Sequence, residues 1–191
     1  LYLGAGLCTA PSFITLRSSK TRIPDRIRLV GATVFGGIFG PVCLLFGLQV
    51  GDANSTALLL NLETVFTAIL GVWVFKEHGS VRMWLSVALV VLASCILVFP
   101  LSFESLFAGG MVALACFCWG LDNHFTADIV DFSPGQTTCV KGVIAGGVNL
   151  AIGSVMSAEI SFTGFVSSVL VGAITYGVSI VLYVAAARQL G

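Results

Sequence analysis

Charged side chains are scarce in this sequence, and their scarcity excludes most classes of protein. Of the 191 residues, 9% are charged, against about 25% in soluble domains, so the chain cannot cover a soluble surface. Nine basic residues balance nine acidic ones, which removes the electrostatic case for nucleic acid as a partner. Hydrophobic residues make up 57%, which excludes disorder. The lipid bilayer is therefore the expected solvent.

Motifs of catalysis and metal binding are also lacking. The sequence contains no HExxH, GxSxG, Walker or Rossmann motif, so nothing in it supports an enzyme. Cys116 and Cys118 stand two apart on a predicted helix and point to different faces. His78 and His124 have no partner at ligand spacing, and we expect both to be solvated. We therefore predict no metal site, no disulfide and no cofactor.

Seven apolar runs have the length of membrane spans or of spans cut short. A spanning helix takes about 20 apolar residues, and the connectors are too short to hold a soluble domain. The predicted fold is all-α, a polytopic bundle of about seven transmembrane helices. The predicted spans are Leu1–Leu16, Ile27–Val50, Asn54–Phe75, Met83–Pro100, Leu106–Phe125, Thr138–Ala158 and Phe162–Ala187.

The basic residues are confined to one set of connectors. Odd and even connectors alternate sides, and all nine Lys and Arg residues fall on one side. The opposite connectors offer Asp52, Glu104 and Glu159. Because cytoplasmic loops carry the excess of Lys and Arg, we predict a multi-pass protein of the cell membrane with a cytoplasmic loop at Arg17–Arg28.

One acid interrupts the third apolar run. Glu63 lies about 13 Å from the outer end of Asn54–Phe75 at 1.5 Å per residue, close to the bilayer midplane. A carboxylate there is costly and usually marks a pathway or a paired site. Thr56, Glu63 and Thr67 share a helix face, whereas Asn61 points elsewhere. Glu63 is either a proton or cation site or a hydrogen-bonded acid that locks two helices together.

A second polar group occupies the cytoplasmic third of the fifth span. Trp119, Asp122 and Asn123 lie there, and Lys141 enters the next span from the same side. An Asp122–Lys141 ion pair is therefore geometrically reasonable. We interpret the group as a structural ion pair or a cytoplasmic gate, with direct substrate contact as the alternative.

A third polar group repeats at helical spacing on the seventh span. Tyr176, Ser179 and Tyr183 stand at i, i+3 and i+7 and share one face. The pattern suits a cavity wall, and tyrosines hydrogen-bonded within the bundle are the alternative. Two stripes of small residues predict close helix packing: Gly36, Gly40, Gly47 and Gly51 on the second span, and Gly142, Gly146, Asn149 and Gly153 on the sixth.

Several of these motifs resemble the EamA branch of the drug/metabolite transporter superfamily. Ala57–Ala68 (ALLLNLETVFTA) followed by Val74–Glu77 (VFKE) is similar to a family helix with an Asn-Leu-Glu-Pro core and a short loop that begins with Glu. Thr64 stands where proline is common, which predicts a straighter helix. Cys118–Asn123 (CWGLDN) resembles the opening of the second repeat, and Gly172–Gly177 (GAITYG) resembles its third helix.

The resemblance implies ten helices in two inverted five-helix repeats. By that template, residues 1–101 hold helices two to five of the first repeat, and residues 106–191 hold helices six to eight of the second. Helix one and helices nine and ten are then missing from this chain. Phe39-Gly40 with Phe46 can be laid on Tyr176-Gly177 with Tyr183, a weak internal echo of the repeat.

The resemblance also implies export of small metabolites such as amino acids or drugs by alternating access around a cavity near the midplane. We take protons as the candidate coupling ion, a small molecule and the bilayer as partners, and a homodimer as the candidate assembly. The cavity or coupling residues would be Glu63, Asn61, Thr67, Tyr176, Ser179 and Tyr183, and the gate residues Trp119, Asp122, Asn123 and Lys141.

Two other functions stay open. A nucleotide-sugar or sugar-phosphate carrier of the same superfamily would need several cavity cations, and Lys141 is the one candidate that the sequence offers. A non-transporting accessory or signalling module of the membrane would need no hydrated cavity, and Glu63 would then be shielded from water.

Overall fold

The fold is a set of seven helices in a computed structural model that describes residues 1–13, 22–97, 103–156 and 161–190. Of these residues 88% are helical and none is in a strand. The predicted all-α fold is confirmed. The helices are α1 (Tyr2–Thr9), α2 (Ile23–Val50), α3 (Ala53–Trp73), α4 (Val81–Leu97), α5 (Phe103–Ala127), α6 (Pro134–Val155) and α7 (Phe162–Ala187).

Five of the seven helices, α2, α3, α5, α6 and α7, are long and apolar enough to cross a membrane. Helix α2 begins at Ile23, before the predicted Ile27, because Pro24 occupies the first turn, where its fixed φ favours a helix start. Parts of four predictions lie outside the described residues: 17–21 of the Arg17–Arg28 loop, and the last residues of Leu1–Leu16, Met83–Pro100 and Thr138–Ala158.

The chain forms two compact units. The first consists of Leu1–Ile38 and Phe125–Gly191, and the second consists of Phe39–His124. These units are groups of residues that pack together. The repeats predicted for 1–101 and 106–191 are instead two copies of one ancestral sequence, which packing alone does not test. The two-repeat division therefore stays a prediction.

In the first unit, glycines bring the backbone of α1 against α6 and α7. A Cβ on Gly142 would lie 2.6 Å from Gly6 N and 2.7 Å from Tyr2 O, so α1 and α6 touch through their backbones. A Cβ on Gly4 would collide with the backbone of Val169 in α7. Such close approach is how helices associate in lipid, where dispersion contacts replace the hydrophobic effect.

Two helices contain a widened π-helical turn. The turns are Thr33–Phe39 in α2 and Gly172–Gly177 in α7. In the first turn, Tyr2 Oη donates to Gly36 O (2.8 Å) and Asn149 Nδ2 donates to Gly37 O (2.8 Å). Side chains of α1 and α6 thus bind carbonyl groups of the turn, which fixes an irregularity of a kind often found at functional sites.

A buried carboxylate ties the start of α2 to the loop after α5. Asp25 is 2% exposed, and its Oδ2 accepts from Val130 N (3.0 Å) and Asp131 N (2.8 Å). Its Oδ1 accepts from Arg28 Nη1 (3.3 Å), and Arg28 Nη2 reaches the half-exposed Asp128 (3.2 Å). The loop is therefore anchored by main-chain bonds to one side chain.

We expect Asp25→Ala to cost about 2 kcal/mol of stability, because two backbone N–H groups lose their acceptor. Asp128→Ala is the matched control, since an ion pair with an exposed partner contributes about 0–1 kcal/mol. Thermal unfolding of both variants in detergent measures the difference. Equal melting temperatures for the two variants would show that the Asp25 bonds contribute no more than a surface pair.

In the second unit, α2 and α3 pack on α5. Leu59, Val112 and Cys116 form the buried core, with Leu44 and Phe66 packed against it. Gly40, Gly47 and Gly51 of the predicted stripe follow α5 along Trp119, Val112 and Ala108. The sequence thus predicts these close contacts, and the structure identifies their partner helix.

Candidate functional site

Helix α3 is interrupted just before Glu63. Its two α-helical segments are Ala53–Leu59 and Leu62–Trp73, joined by a tight turn at Leu60 and Asn61. Glu63 N bonds to Leu60 O (3.0 Å), a spacing of three residues, and Cys116 Sγ of α5 contacts Leu60 O at 3.6 Å. The effect of Thr64 on the straightness of α3 stays a prediction.

A glycine brings α5 against α3 at this point. A Cβ on Gly120 would lie 3.1 Å from Thr67 N and 3.2 Å from Phe66 C, so the two backbones nearly touch. One turn away, the rings of Phe66 and Phe117 meet edge to face, 5.7 Å apart. The polar side chains that follow Gly120 on α5 are thereby held within hydrogen-bonding distance of α3.

The amide of Asn123 joins two residues of α3. Its Nδ2 donates to Glu63 Oε1 (2.9 Å) and to Thr67 Oγ1 (3.2 Å). Glu63 and Thr67 are half-buried near the middle of α3, one helical turn apart. The acid is therefore a half-buried, hydrogen-bonded group between two helices.

His124, the residue after Asn123 on α5, also contacts α3, nearer to the end of that helix. His124 Nε2 lies 2.9 Å from Thr67 O, and His124 Nδ1 lies 3.2 Å from Glu77 Oε1. The His124 side chain is 8% exposed, so its expected solvation is wrong, whereas Glu77 is 59% exposed. We call Glu63, Thr67, Glu77, Asn123 and His124 the polar cluster.

Part of the polar cluster is not predicted by the sequence. The sequence predicts that Glu63 and Thr67 share one face of α3, but it assigns Asn123 to a gate and indicates no role for Glu77 or His124. The one available signal was the polar run Asp122-Asn123-His124 in a largely apolar helix. Which helix that run would meet depends on Gly120, whose partner cannot be known from spacing.

Asn61 lies apart from Glu63's contacts. Its side chain is exposed, and its Nδ2 donates to Leu58 O of the same helix (2.8 Å). It lines a cavity of about 170 Å³ with Leu58, Val90 and Ser94, between α3 and α4. Its bond serves the interrupted turn of α3.

The other predicted gate residues are divided between the units. Trp119 packs on Gly40, because a Cβ on Gly40 would lie 2.7 Å from Trp119 Nε1. Asp122 is buried, and both Trp119 and Asp122 belong to the second unit. Lys141 is buried in the first unit, 6% exposed. The Asp122–Lys141 pair stays a prediction.

The three residues predicted for the cavity wall follow one stretch of α7. Tyr176 packs edge to face on Tyr2, with ring centroids 4.9 Å apart. Ser179 is exposed and its Oγ donates to Tyr176 O (3.1 Å), and Tyr183 is 48% exposed. Tyr176 therefore helps to hold α1 on α7. The role of the three residues as a cavity wall stays a prediction.

A cavity of about 420 Å³ lies within the first unit, among α1, α6 and α7. Tyr2, Asn149 and Ser168 supply polar groups to its lining, and its volume falls in the range of small-molecule sites. Asn149 Oδ1 is buried and has no hydrogen-bond partner. In the described parts of the chain, no group of three or more His, Cys, Asp or Glu residues is arranged to hold a metal ion.

The helices and their composition define the class: a multi-pass membrane protein. A family model described as the EamA-like transporter family matches residues 1–99, which is more than half of the chain. The chain therefore belongs to the EamA-like transporter family.

One curated relative is an uncharacterized transporter from Methanothermobacter thermautotrophicus. It is 24% identical over 187 residues, which cover 91% of this chain and 54% of the relative. The chain thus spans about half the length of the curated relative it matches. No solved structure matches the chain.

Proposed function

We propose that this chain belongs to a secondary carrier that exports small metabolites such as amino acids or drugs across the cell membrane by alternating access. The observation that supports the proposal most is Glu63, an acid near the middle of an apolar helix that α5 binds through Asn123. Intramembrane acids are retained chiefly where they serve transport or pair with another helix, and family membership favours transport.

In this proposal, Glu63 and Thr67 form the coupling site with a proton as the coupling ion, and Asn123 positions both. Tyr176, Ser179 and Tyr183 line the substrate path, while Trp119, Asp122 and Lys141 form the cytoplasmic gate. Asn61 serves the interrupted turn of α3. The Arg17–Arg28 loop is cytoplasmic, as the distribution of basic residues indicates.

Two inverted repeats, at 1–101 and 106–191, would build the carrier. Laying Phe39-Gly40 on Tyr176-Gly177 makes the π-helical turns Thr33–Phe39 and Gly172–Gly177 overlap. Similar irregularities at matching places in two halves support a repeat, since broken or irregular helices recur in corresponding positions of such transporters.

We expect Glu63→Gln to lower export at least tenfold at matched abundance and to flatten its pH dependence. Glutamine keeps the carbonyl oxygen that accepts from Asn123 but cannot exchange a proton near neutral pH. The measurement is paired intracellular and extracellular metabolite profiling of cells that express the complete reading frame, the variant or an empty vector, followed by flux of the metabolites found at several pH values.

The possible results distinguish a coupling role of Glu63 from a structural one, and a carrier from a non-transporting module. If metabolites move equally with the variant at every pH, the carrier stands and Glu63 is a structural acid. If nothing moves across a broad panel with either protein, the proposal of transport fails and a non-transporting membrane module is favoured. Movement of sugar phosphates or nucleotide sugars alone would assign the other branch of the superfamily.

A further inference from the structure

Both ring nitrogens of His124 face oxygen acceptors. Nε2 lies 2.9 Å from the carbonyl oxygen of Thr67, and Nδ1 lies 3.2 Å from a carboxylate oxygen of Glu77. A neutral imidazole has one N–H and can donate to one acceptor, which leaves the other nitrogen as a lone pair. With an ionised Glu77, one of these two contacts would place a lone pair against an acceptor.

One additional proton satisfies both contacts. The proton can lie on His124, which then donates from both nitrogens, or on Glu77, whose O–H then donates to Nδ1 while Nε2–H donates to Thr67. Either arrangement holds one proton more than a neutral imidazole beside a carboxylate.

The backbone conformation at Lys76 and Glu77 brings the Glu77 side chain to His124. Lys76 has a φ of 62°, a left-handed conformation that turns the backbone sharply and that side-chain-bearing residues adopt at a cost. Glu77 N then donates to Gly71 O (2.9 Å). A Cβ on Gly71 would lie 2.6 Å from Glu77 Oε2 and 3.1 Å from His124 Cε1, so glycine leaves the space that the pair occupies.

An aromatic ring covers the imidazole on one side. Phe75 stacks on His124 with ring centroids 4.2 Å apart and 15° between the planes. The stack holds the plane of the imidazole in place between α5 and the turn. Phe75 belongs to the same turn as Glu77, and its N–H bonds to Leu70 O (3.1 Å).

Five other charged or titratable groups lie on the elements packed around His124. Lys76 Nζ donates to Trp73 O at 3.0 Å, and His78 and Arg82 are exposed. On α5, Asp122 is buried, and Glu63 of α3 accepts from Asn123. The ion pair of His124 is with Glu77, which has a route to water because its side chain is 59% exposed.

We propose that His124 and Glu77 form a proton-binding site that holds the turn at residues 74–80 against α5. When the site loses its proton to a base in water through the exposed Glu77, the imidazole lone pair at Nδ1 faces a carboxylate, and the Glu77 side chain turns into solvent. The closed turn takes up a proton, so closure is favoured at low pH and is lost as pH rises. This inference does not depend on the chain's substrate.

Hydrogen–deuterium exchange of the complete protein in lipid nanodiscs tests the proposal. The readout is protection of the peptide that covers 74–80, corrected for the intrinsic exchange rate at each pH. We expect protection to fall at least tenfold between pH 5.5 and pH 8.5. Protection that does not change with pH in the parent protein would overturn the proposal without any substitution.

Two variants sharpen the test. Glu77→Gln supplies an amide N–H that donates to Nδ1 of a neutral His124, so the turn should stay protected at both pH values. Glu104→Gln, an exposed acid on the other end of α5, should behave like the parent. If Glu77→Gln instead loses protection at pH 8.5 as the parent does, the proton is bound elsewhere and the assignment fails.

Discussion

Gly142→Ala should abolish most of the folded protein, whereas Gly147→Ala on the same helix should leave it near the parent level. A Cβ on Gly142 would lie 2.6 Å from Gly6 N, 2.7 Å from Gly6 Cα and 2.7 Å from Tyr2 O. These are backbone atoms, so relief requires that α1 move away from α6 as a whole. A Cβ on Gly147 would meet nothing within 4 Å.

The expected cost of Gly142→Ala is about 3 kcal/mol, the upper part of the range for overpacking, and it removes contacts along the length of α1. Fluorescence-detected size-exclusion chromatography of both variants, extracted in the same detergent, measures the folded fraction. Equal monodisperse peaks and equal melting temperatures for the two variants would show that α1 does not pack on α6 in this way.

The sequence predicted the glycine stripe of α6 but not its extent. Gly142 and Gly146 meet α1 through backbone atoms, as close packing in lipid requires, whereas a Cβ on Gly153 would meet nothing within 4 Å. Helical spacing places all three on one face. It cannot say how far a neighbouring helix reaches along that face, because the neighbour's length and crossing point are properties of the tertiary structure.

Helix existence followed from the sequence because apolar length is itself the physical requirement for a span. Local irregularities did not follow. The π-helical turn Thr33–Phe39 receives bonds from Tyr2 and Asn149, and the interruption of α3 at Leu60 receives a contact from Cys116. Each involves residues distant in sequence, so no local pattern encodes it.

The candidate site was predicted in part for the same reason. Glu63 stood out because a lone acid in an apolar run is costly, and helical spacing added Thr67 to its face. Its partner on α5 could not be chosen from spacing: Asn61 was nearer in sequence, but the approach at Gly120 brings Asn123 to it instead. The predicted solvation of His124 is wrong because a helix end in the sequence gives no sign of the turn that covers it.

Asn123→Leu should reduce export to the level of an empty vector and lower the melting temperature, whereas Asn61→Leu should leave both close to the parent. Asn123 Nδ2 donates to a carboxylate and a hydroxyl of another helix, and a hydrogen bond to a charged group contributes about 1.5–3 kcal/mol. Asn61 Nδ2 is exposed and donates to Leu58 O within its own helix.

The two asparagines receive the same substitution in the same protein, so they differ mainly in what their amides bind. Flux of a metabolite found by profiling, at matched abundance, reports on transport, and melting in detergent reports on the α3–α5 contact. A fall in melting temperature with export intact would make the Asn123–Glu63 bond purely structural. Loss of export in Asn61→Leu with Asn123→Leu unaffected would move the coupling site to the other face of α3, because the polar cluster would then have no part in transport.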